Sequence, residues 1–321
     1  MKATIGMTYR MLYSELNTIS NRMFDLQQQA ATGKKMNAPS DDPAAIKPLL
    51  NYRVESKTTE RYLNHMGFAG DKMDILDSSL DRMENLMVQA KETGIQAMNG
   101  AANEEDRQVL ADEIGQIFDE LLQASNARSN GEYTFAGYQD ETLPFTENTG
   151  YDPETFVSED ASTWPVRYHG DANRKSVEVA PGQSLETGLS GCELLLGDSD
   201  NNQEPDADGT NIFAVLKTFE QAIRTNDQEG EGGIQDGLQD LEDGANQIRR
   251  LRGRMGNNAA QIERASEHLN AASLEIKETI SNYEDADVMK VYTDLMQHQT
   301  TLQAALNVTS KVSQLTILDY M

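Results

Sequence analysis

Residues 234–284 read IQDGLQDLEDGANQIRRLRGRMGNNAAQIERASEHLNAASLEIKETISNYE. Within them Ile234, Leu238, Leu241, Ala245, Ile248, Arg252, Met255, Ala259, Ile262, Ser266, Leu269, Ser273, Ile276, Ile280 and Tyr283 recur at alternating steps of four and three, seven heptads without a slip. A period of 3.5 residues held over this length predicts coiled-coil packing rather than a short globular helix. At ~1.5 Å per residue such a helix is a rod of ~75 Å.

The same spacing extends outward in both directions. After Glu284-Asp285-Ala286-Asp287 a last stripe runs Val288, Val291, Leu295, His298, Leu302, Ala305, Thr309, Val312. At the other end of the chain Ile5, Tyr9, Leu12, Leu16, Ile19, Met23, Leu26 and Ala30 line one helical face. Thr32-Gly33-Lys34-Lys35 supplies a glycine stop, and Ser40-Asp41-Asp42-Pro43 supplies capping oxygens and a first-turn proline for the next helix. That helix carries Tyr62, Met66, Ala69, Met73, Leu76, Leu80, Met83, Met87 and Ala90. A third, opened by Asn103-Glu104-Glu105-Asp106, carries Leu110, Ile114, Ile117, Leu121 and Ala124. A chain that leaves along helices and returns along helices folds back on itself. Its ends are therefore expected to pair antiparallel.

Proline placement separates the arms from what lies between them. Pro39, Pro43 and Pro48 cluster early, the other five lie between Pro144 and Pro205, and the long stretches on either side contain none. Residues 131–210 hold 17 acids against 3 bases. Here the pattern turns β-prone, in Gly131-Glu132-Tyr133-Thr134-Phe135-Ala136-Gly137-Tyr138, and alternates with period two in Pro165-Val166-Arg167-Tyr168 and Ser176-Val177-Glu178-Val179. The expected fold is mainly α: a long antiparallel coiled-coil-like helical rod formed by both chain ends, with a small inserted β-rich domain. The expected division is a terminal helical assembly domain (1–40 with 285–321), a helical rod domain (41–130 with 211–284) and an acidic β-rich outer domain (131–210).

Charge and composition limit the functions open to this chain. Its 321 residues include 27 Lys+Arg and 53 Asp+Glu, a net charge of −26 that repels nucleic-acid phosphates and anionic membranes alike. No apolar run approaches the ~18–20 residues that cross a bilayer, and the N-terminus lacks the apolar region of a cleaved signal, so no membrane insertion is expected. One cysteine, Cys192, and four histidines leave little for catalysis. Neither a phosphate loop, a metal-ligand spacing nor a nucleophile motif is found, so neither a cofactor nor an enzymatic activity is expected. The Asp-rich run 198–209 departs from a calcium loop, with Gln203 at the sixth position from Asp198 and Val215 at the twelfth from Glu204; it reads as a solvated acidic loop. Arg249, Arg250, Arg252 and Arg254 are expected to pair with acidic helix faces. Arg252 and His298 sit on stripes, where a polar residue either sets register or reaches out to solvent.

The terminal stripes are rich in Ala, Met, Thr and Ser, and bury too little apolar surface to stand well alone. They are expected to be completed by neighbouring subunits. The candidate assembly interface is Ile5, Leu12, Leu16, Ile19, Met23, Leu26, Val288, Val291, Leu295, His298, Leu302, Ala305 and Val312. An acidic hydrolase on a helical stalk stays open only through the insertion.

The run from Ala31 through Gly33, Asn37, Pro39, Ser40, Asp41, Asp42 and Pro43 to Ala45 resembles the N-terminal turn of the flagellin superfamily in its hook–filament junction version. Gly131 to Tyr138 with Pro144-Phe145 resembles that branch's entry into its β domain. Arg252-Gly253-Arg254-Met255-Gly256-Asn257, Tyr283-Glu284-Asp285-Ala286-Asp287 and Leu318-Asp319-Tyr320-Met321 resemble its C-terminal half. The resemblance implies an extracellular part of the bacterial flagellum, exported unfolded by the flagellar type III apparatus with a flagellar export chaperone. It also implies assembly between hook-associated protein 1 and flagellin, with copies of itself alongside in a ring. The alternative within the same superfamily is a flagellin filament subunit.

Overall fold

A computed structural model of the chain describes residues 5–98, 103–153, 155–157, 160–206, 209–228 and 232–318. The side chains of Ile5, Tyr9, Val312 and Leu318, and residues 319–321 of the closing run, lie outside this description. The main elements are helices α1 (Ile5–Thr32), α2 (Pro43–Met98), α3 (Glu104–Ser125), α4 (Ile212–Thr225), α5 (Ile234–Glu284) and α6 (Val288–Leu318). Strands β1 (Arg128–Ser129), β2 (Glu132–Tyr133), β3 (Phe145–Glu147), β4 (Val166–Tyr168), β5 (Ser176–Ala180) and β6 (Gln183–Glu186) lie between α3 and α4. The chain divides into two compact units, one of the residues up to Glu60 and from Asn270 on, the other Arg61–Leu269.

Each helix begins and ends where its local chemistry dictates. Gly33, at φ +70°, ends α1 in the left-handed conformation that glycine adopts without strain. Asp42 Oδ1 accepts the N–H groups of Ala44 and Ala45 at 3.1 Å each and caps α2. Pro48 deletes one ladder bond near the start of α2, and the 56-residue helix continues past it. A reciprocal capping box between Asn103 and Asp106 opens α3. Asn211 caps α4 through Ala214.

The β-prone run 131–138 gives only the two-residue strand β2, because Gly131 and Gly137 take φ +90° and +70° and turn the chain. A Cβ on Gly137 would lie 2.1 Å from Asp171 Oδ1, the atom that receives the Tyr138 N–H. The strands form three separate antiparallel pairs, β1 with β2, β3 with β4 and β5 with β6. In β3 and β4 Phe145 faces Tyr168 and Glu147 faces Val166.

In the unit Arg61–Leu269 every stripe residue of α2 from Tyr62 to Ala90 is buried. Their cluster continues through Ile114, Ile117, Phe118 and Leu121 of α3, Phe213, Leu216 and Phe219 of α4, and Leu241, Ile248 and Met255 of α5. Phe135, Phe145, Trp164 and Leu194–Leu196 of the insertion belong to the same cluster. Phe213 joins them, its ring 5.6 Å from Phe145 and 5.5 Å from Phe118. Phe219 fits between Gly94 and Gly237, where a Cβ would come within 2.2 and 2.3 Å of its ring.

Ion pairs fix α2 antiparallel to α5. Lys91 pairs with Glu242 at 2.7 Å, and Arg249 pairs with Glu84 and Glu242. Arg252 holds Asp77 through two nitrogens at 2.7 and 3.0 Å, Asp81 at 2.7 Å and Glu84 at 3.2 Å. The stripe arginine thus reaches out of the seam to three carboxylates on successive turns of α2. Because Asp77 and Asp81 are solvent-exposed, Arg252→Ala is expected to cost only about 1–2 kcal/mol. The loss should shrink at about 1 M salt, where charges are screened beyond ~3 Å. Urea denaturation at both salt concentrations measures it.

Candidate assembly surface

The unit containing both chain ends is built around the turns that join α1 to α2 and α5 to α6. Lys34 and Asp285 form an antiparallel bridge. Lys35 N–H donates to Glu284 O and Ala286 N–H to Gly33 O, both at 2.8 Å. The Glu284 carboxylate, its side chain only 6% exposed, pairs with Lys34 Nζ and with Arg53 at 2.6 Å. Asp41 Oδ2 accepts the N–H groups of Asn37 and Ala38 at 2.8 Å and folds the turn back on itself. These two backbone bonds hold the Asp41 carboxyl below its usual range. Met36, Ala45 and Leu49 pack under the turns with Ile46, Ile280 and Tyr283. Asn37, Pro39, Ser40, Asp41, Asp42 and Pro43 themselves remain exposed.

Helices α1 and α6 leave this point side by side and antiparallel. Of the expected interface residues, Ile19, Leu26 and Val291 are buried, and Leu12, Leu16, Met23, Leu295, His298, Leu302 and Ala305 are half-buried, whereas Val288 is exposed. The stripes meet each other within one subunit. His298 Nδ1 is buried in this seam and no described residue bonds it.

The surfaces the stripes leave uncovered also carry large apolar residues. Met7, Met11, Tyr13 and Phe24 on α1 are exposed, as are Met289, Tyr292, Met296, Leu306 and Val308 on α6. Met289, Tyr292 and Met296, spaced i, i+3 and i+7, share a face of α6 opposite Val291, Leu295 and His298. Sequence reasoning chose the regular stripe and passed over this second face. The signal was present: both terminal helices carry large apolar residues off the stripe, more than one seam can bury.

The residues Arg252, Arg254 and Asn257 lie in the other unit. Arg254 binds both oxygens of Glu193, at 2.8 and 3.0 Å. Asn257 is exposed, and its neighbour Asn258 is the amide that reaches the insertion, donating to Glu186 O at 3.0 Å. Gln247, buried on α5, ties down Thr210 and Leu194. The acidic loop is less solvated than expected. Asp198 is fully buried and accepts the N–H groups of Asn202 and Gln203. Burial pushes its carboxyl up against those bonds. Burial likewise raises the Cys192 thiol to about 11, which leaves it an inert neutral thiol.

Residues 6–140 match the N-terminal helical region of bacterial flagellin, and residues 238–321 match its C-terminal helical region. The chain belongs to the flagellin superfamily. It is 26% identical to the flagellar hook-associated protein 3 of Salmonella typhimurium over 317 residues, 95% of each chain. A Listeria innocua flagellin is 19% identical over 293 residues, 91% of this chain and 88% of that one. The solved flagellar junction protein FlgL from Legionella pneumophila aligns with a TM-score of 0.55 at 15% identity, covering 74% of this chain and all of the other, a likeness of fold. The superfamily regions hold both terminal helices and both turns, and leave residues 141–237 unmatched.

Glu284 gives these turns a defined pH response. Burial alone would raise its pKa; the Lys34 hydrogen bond and the charges of Arg53 and Lys34 outweigh burial and lower it. A carboxyl depressed on folding contributes stability above its unfolded pKa and loses it as pH falls through the folded value. The stability of wild type is therefore expected to fall more steeply than that of Glu284→Gln as pH drops from about 5 to 3. Equilibrium urea unfolding across that range provides the check.

Proposed function

We propose that this chain forms the junction between hook-associated protein 1 and the flagellin filament, as an extracellular structural part of the bacterial flagellum. The observation that carries the reading is the pair of terminal helices, already matched to each other along one seam, whose remaining faces expose large apolar residues. Large apolar side chains left exposed on helices are a mark of an interaction surface. Near-full-length similarity to a hook-associated protein supports the junction over the filament subunit. In this reading α1 and α6 assemble with copies of the chain laterally in a ring, with hook-associated protein 1 on one side and flagellin on the other. Export proceeds through the flagellar type III apparatus, with a chaperone covering the terminal helices beforehand.

A filament subunit must stack on its own copies to make an open helical polymer, whereas a junction subunit needs only lateral self-contacts. The purified chain, salted out or seeded with filament fragments, should give no long filaments in the electron microscope. Added to hooks that carry hook-associated protein 1, it should form a thin terminal zone that accepts flagellin. Micrometre-long homopolymers would shift the assignment to flagellin.

The two faces of the terminal helices should respond differently to charge. Phe24→Glu with Tyr292→Glu is expected to leave the thermal midpoint unchanged and cut incorporation at least about tenfold. Leu295→Asp with Leu302→Asp should also loosen the α1–α6 seam, seen as faster proteolysis of the helices in the dilute chain. Normal incorporation of the Phe24/Tyr292 variant would remove the exposed face from the interface.

A further inference from the structure

Methionine recurs among the large apolar residues exposed on both terminal helices. Met7, Met11, Met289 and Met296 are 61, 73, 78 and 67% exposed. Met66, Met73, Met83, Met87 and Met255, in the other unit, are at most 4% exposed. A thioether reacts with a two-electron oxidant according to its exposure, so these two sets differ sharply in susceptibility. Oxidation turns a flexible apolar side chain into a polar one and disrupts methionine-rich interfaces.

We infer that Met7, Met11, Met289 and Met296 form an oxidation-sensitive set through which peroxide switches off assembly of the free subunit while leaving its fold intact. The inference rests on the junction reading for the identity of the surface, and concerns its regulation. In the reaction a sulfur lone pair attacks one oxygen of hydrogen peroxide and the O–O bond breaks. The new S–O bond gives methionine sulfoxide, and the departing oxygen leaves as water once protons have redistributed. Sulfur loses two electrons and the peroxide gains them. A sulfoxide on an apolar contact surface then requires a hydrogen-bond partner that a matching apolar surface does not offer. Unit Arg61–Leu269 keeps its packing because the methionines of its core are shielded, and Met98, 36% exposed at the end of α2, is not part of that core. A methionine sulfoxide reductase reverses the change, two electrons coming from a dithiol that becomes a disulfide and the sulfoxide oxygen leaving as water.

The test uses the full-length chain treated with hydrogen peroxide. Peptide mass spectrometry should find Met7, Met11, Met289 and Met296 oxidised well before Met66, Met73, Met83, Met87 and Met255, with circular dichroism unchanged. The oxidised chain, added with flagellin to hooks bearing hook-associated protein 1, should incorporate at least about tenfold less than untreated chain, and reductase treatment should restore it. A variant with all four replaced by Leu should incorporate with or without peroxide. Met289→Gln with Met296→Gln should mimic oxidation without it. Undiminished incorporation of the oxidised chain, or equal peroxide sensitivity of the four-leucine variant, overturns the inference. Failure of the untreated chain to incorporate overturns the junction reading beneath it, so the two failures are separable.

Discussion

A single buried carboxylate organises the unit that contains both terminal helices. Glu284 closes α5, receives Lys34 from the turn after α1 and Arg53 from α2, and its own carbonyl accepts the Lys35 N–H. An unpaired carboxylate in that position would carry a desolvation cost of several kcal/mol, so the pairing is obligatory once the site is buried. Because Lys34 follows the glycine that ends α1 and Glu284 precedes the turn into α6, one ion-pair cluster sets where α1 ends and α6 begins. The antiparallel meeting of α1 with α6 follows from that placement.

Stability and assembly make opposite demands, and the chain meets them in different places. The unit Arg61–Leu269 concentrates its aromatic and aliphatic side chains in one continuous core, pinned by Phe219 between two glycines and by Phe213 between Phe118 and Phe145. The terminal helices bury few side chains fully and expose many large ones. A helix pair so sparingly buried keeps its remaining apolar surface available to a neighbour, at the expense of its own margin in the free subunit.

The helices were legible because heptad spacing, glycine stops and Asx caps all pointed the same way. Tyr62 to Ala90 are buried as the stripe required, and Asn103, Asp42 and Gly33 act as their local chemistry predicts. The charged member of the stripe was partly legible: Arg252 could be recognised as a register residue, but the three acids it holds are about 170 positions away and no local pattern names them. The insertion was the least legible. Its β-prone run is cut by two glycines, its strands pair only in twos, and its hydrophobic residues pack on helices far along the chain. Periodicity identifies a stripe without saying what covers it: α1 and α6 meet within the subunit, as the fold-back of the chain implied, and Leu12 and Leu16 stay half-buried there.

The ion pairs between segments far apart in sequence also impose an order of events on folding. Lys91 and Glu242 are 151 residues apart, Arg252 and Asp77 are 175 apart, and Lys34 and Glu284 are 250 apart. Contacts of such separation require a very long loop to close, and the entropy of closure is lost before any of them forms. α2 can form its own backbone bonds early, but its methionine-rich stripe has no α5 to meet until the last third of the chain exists. During that interval the nascent protein is a half-seam of exposed thioethers and aliphatics. Synthesis therefore leaves a window in which the chain is sticky, and the window closes only when α5 has been made.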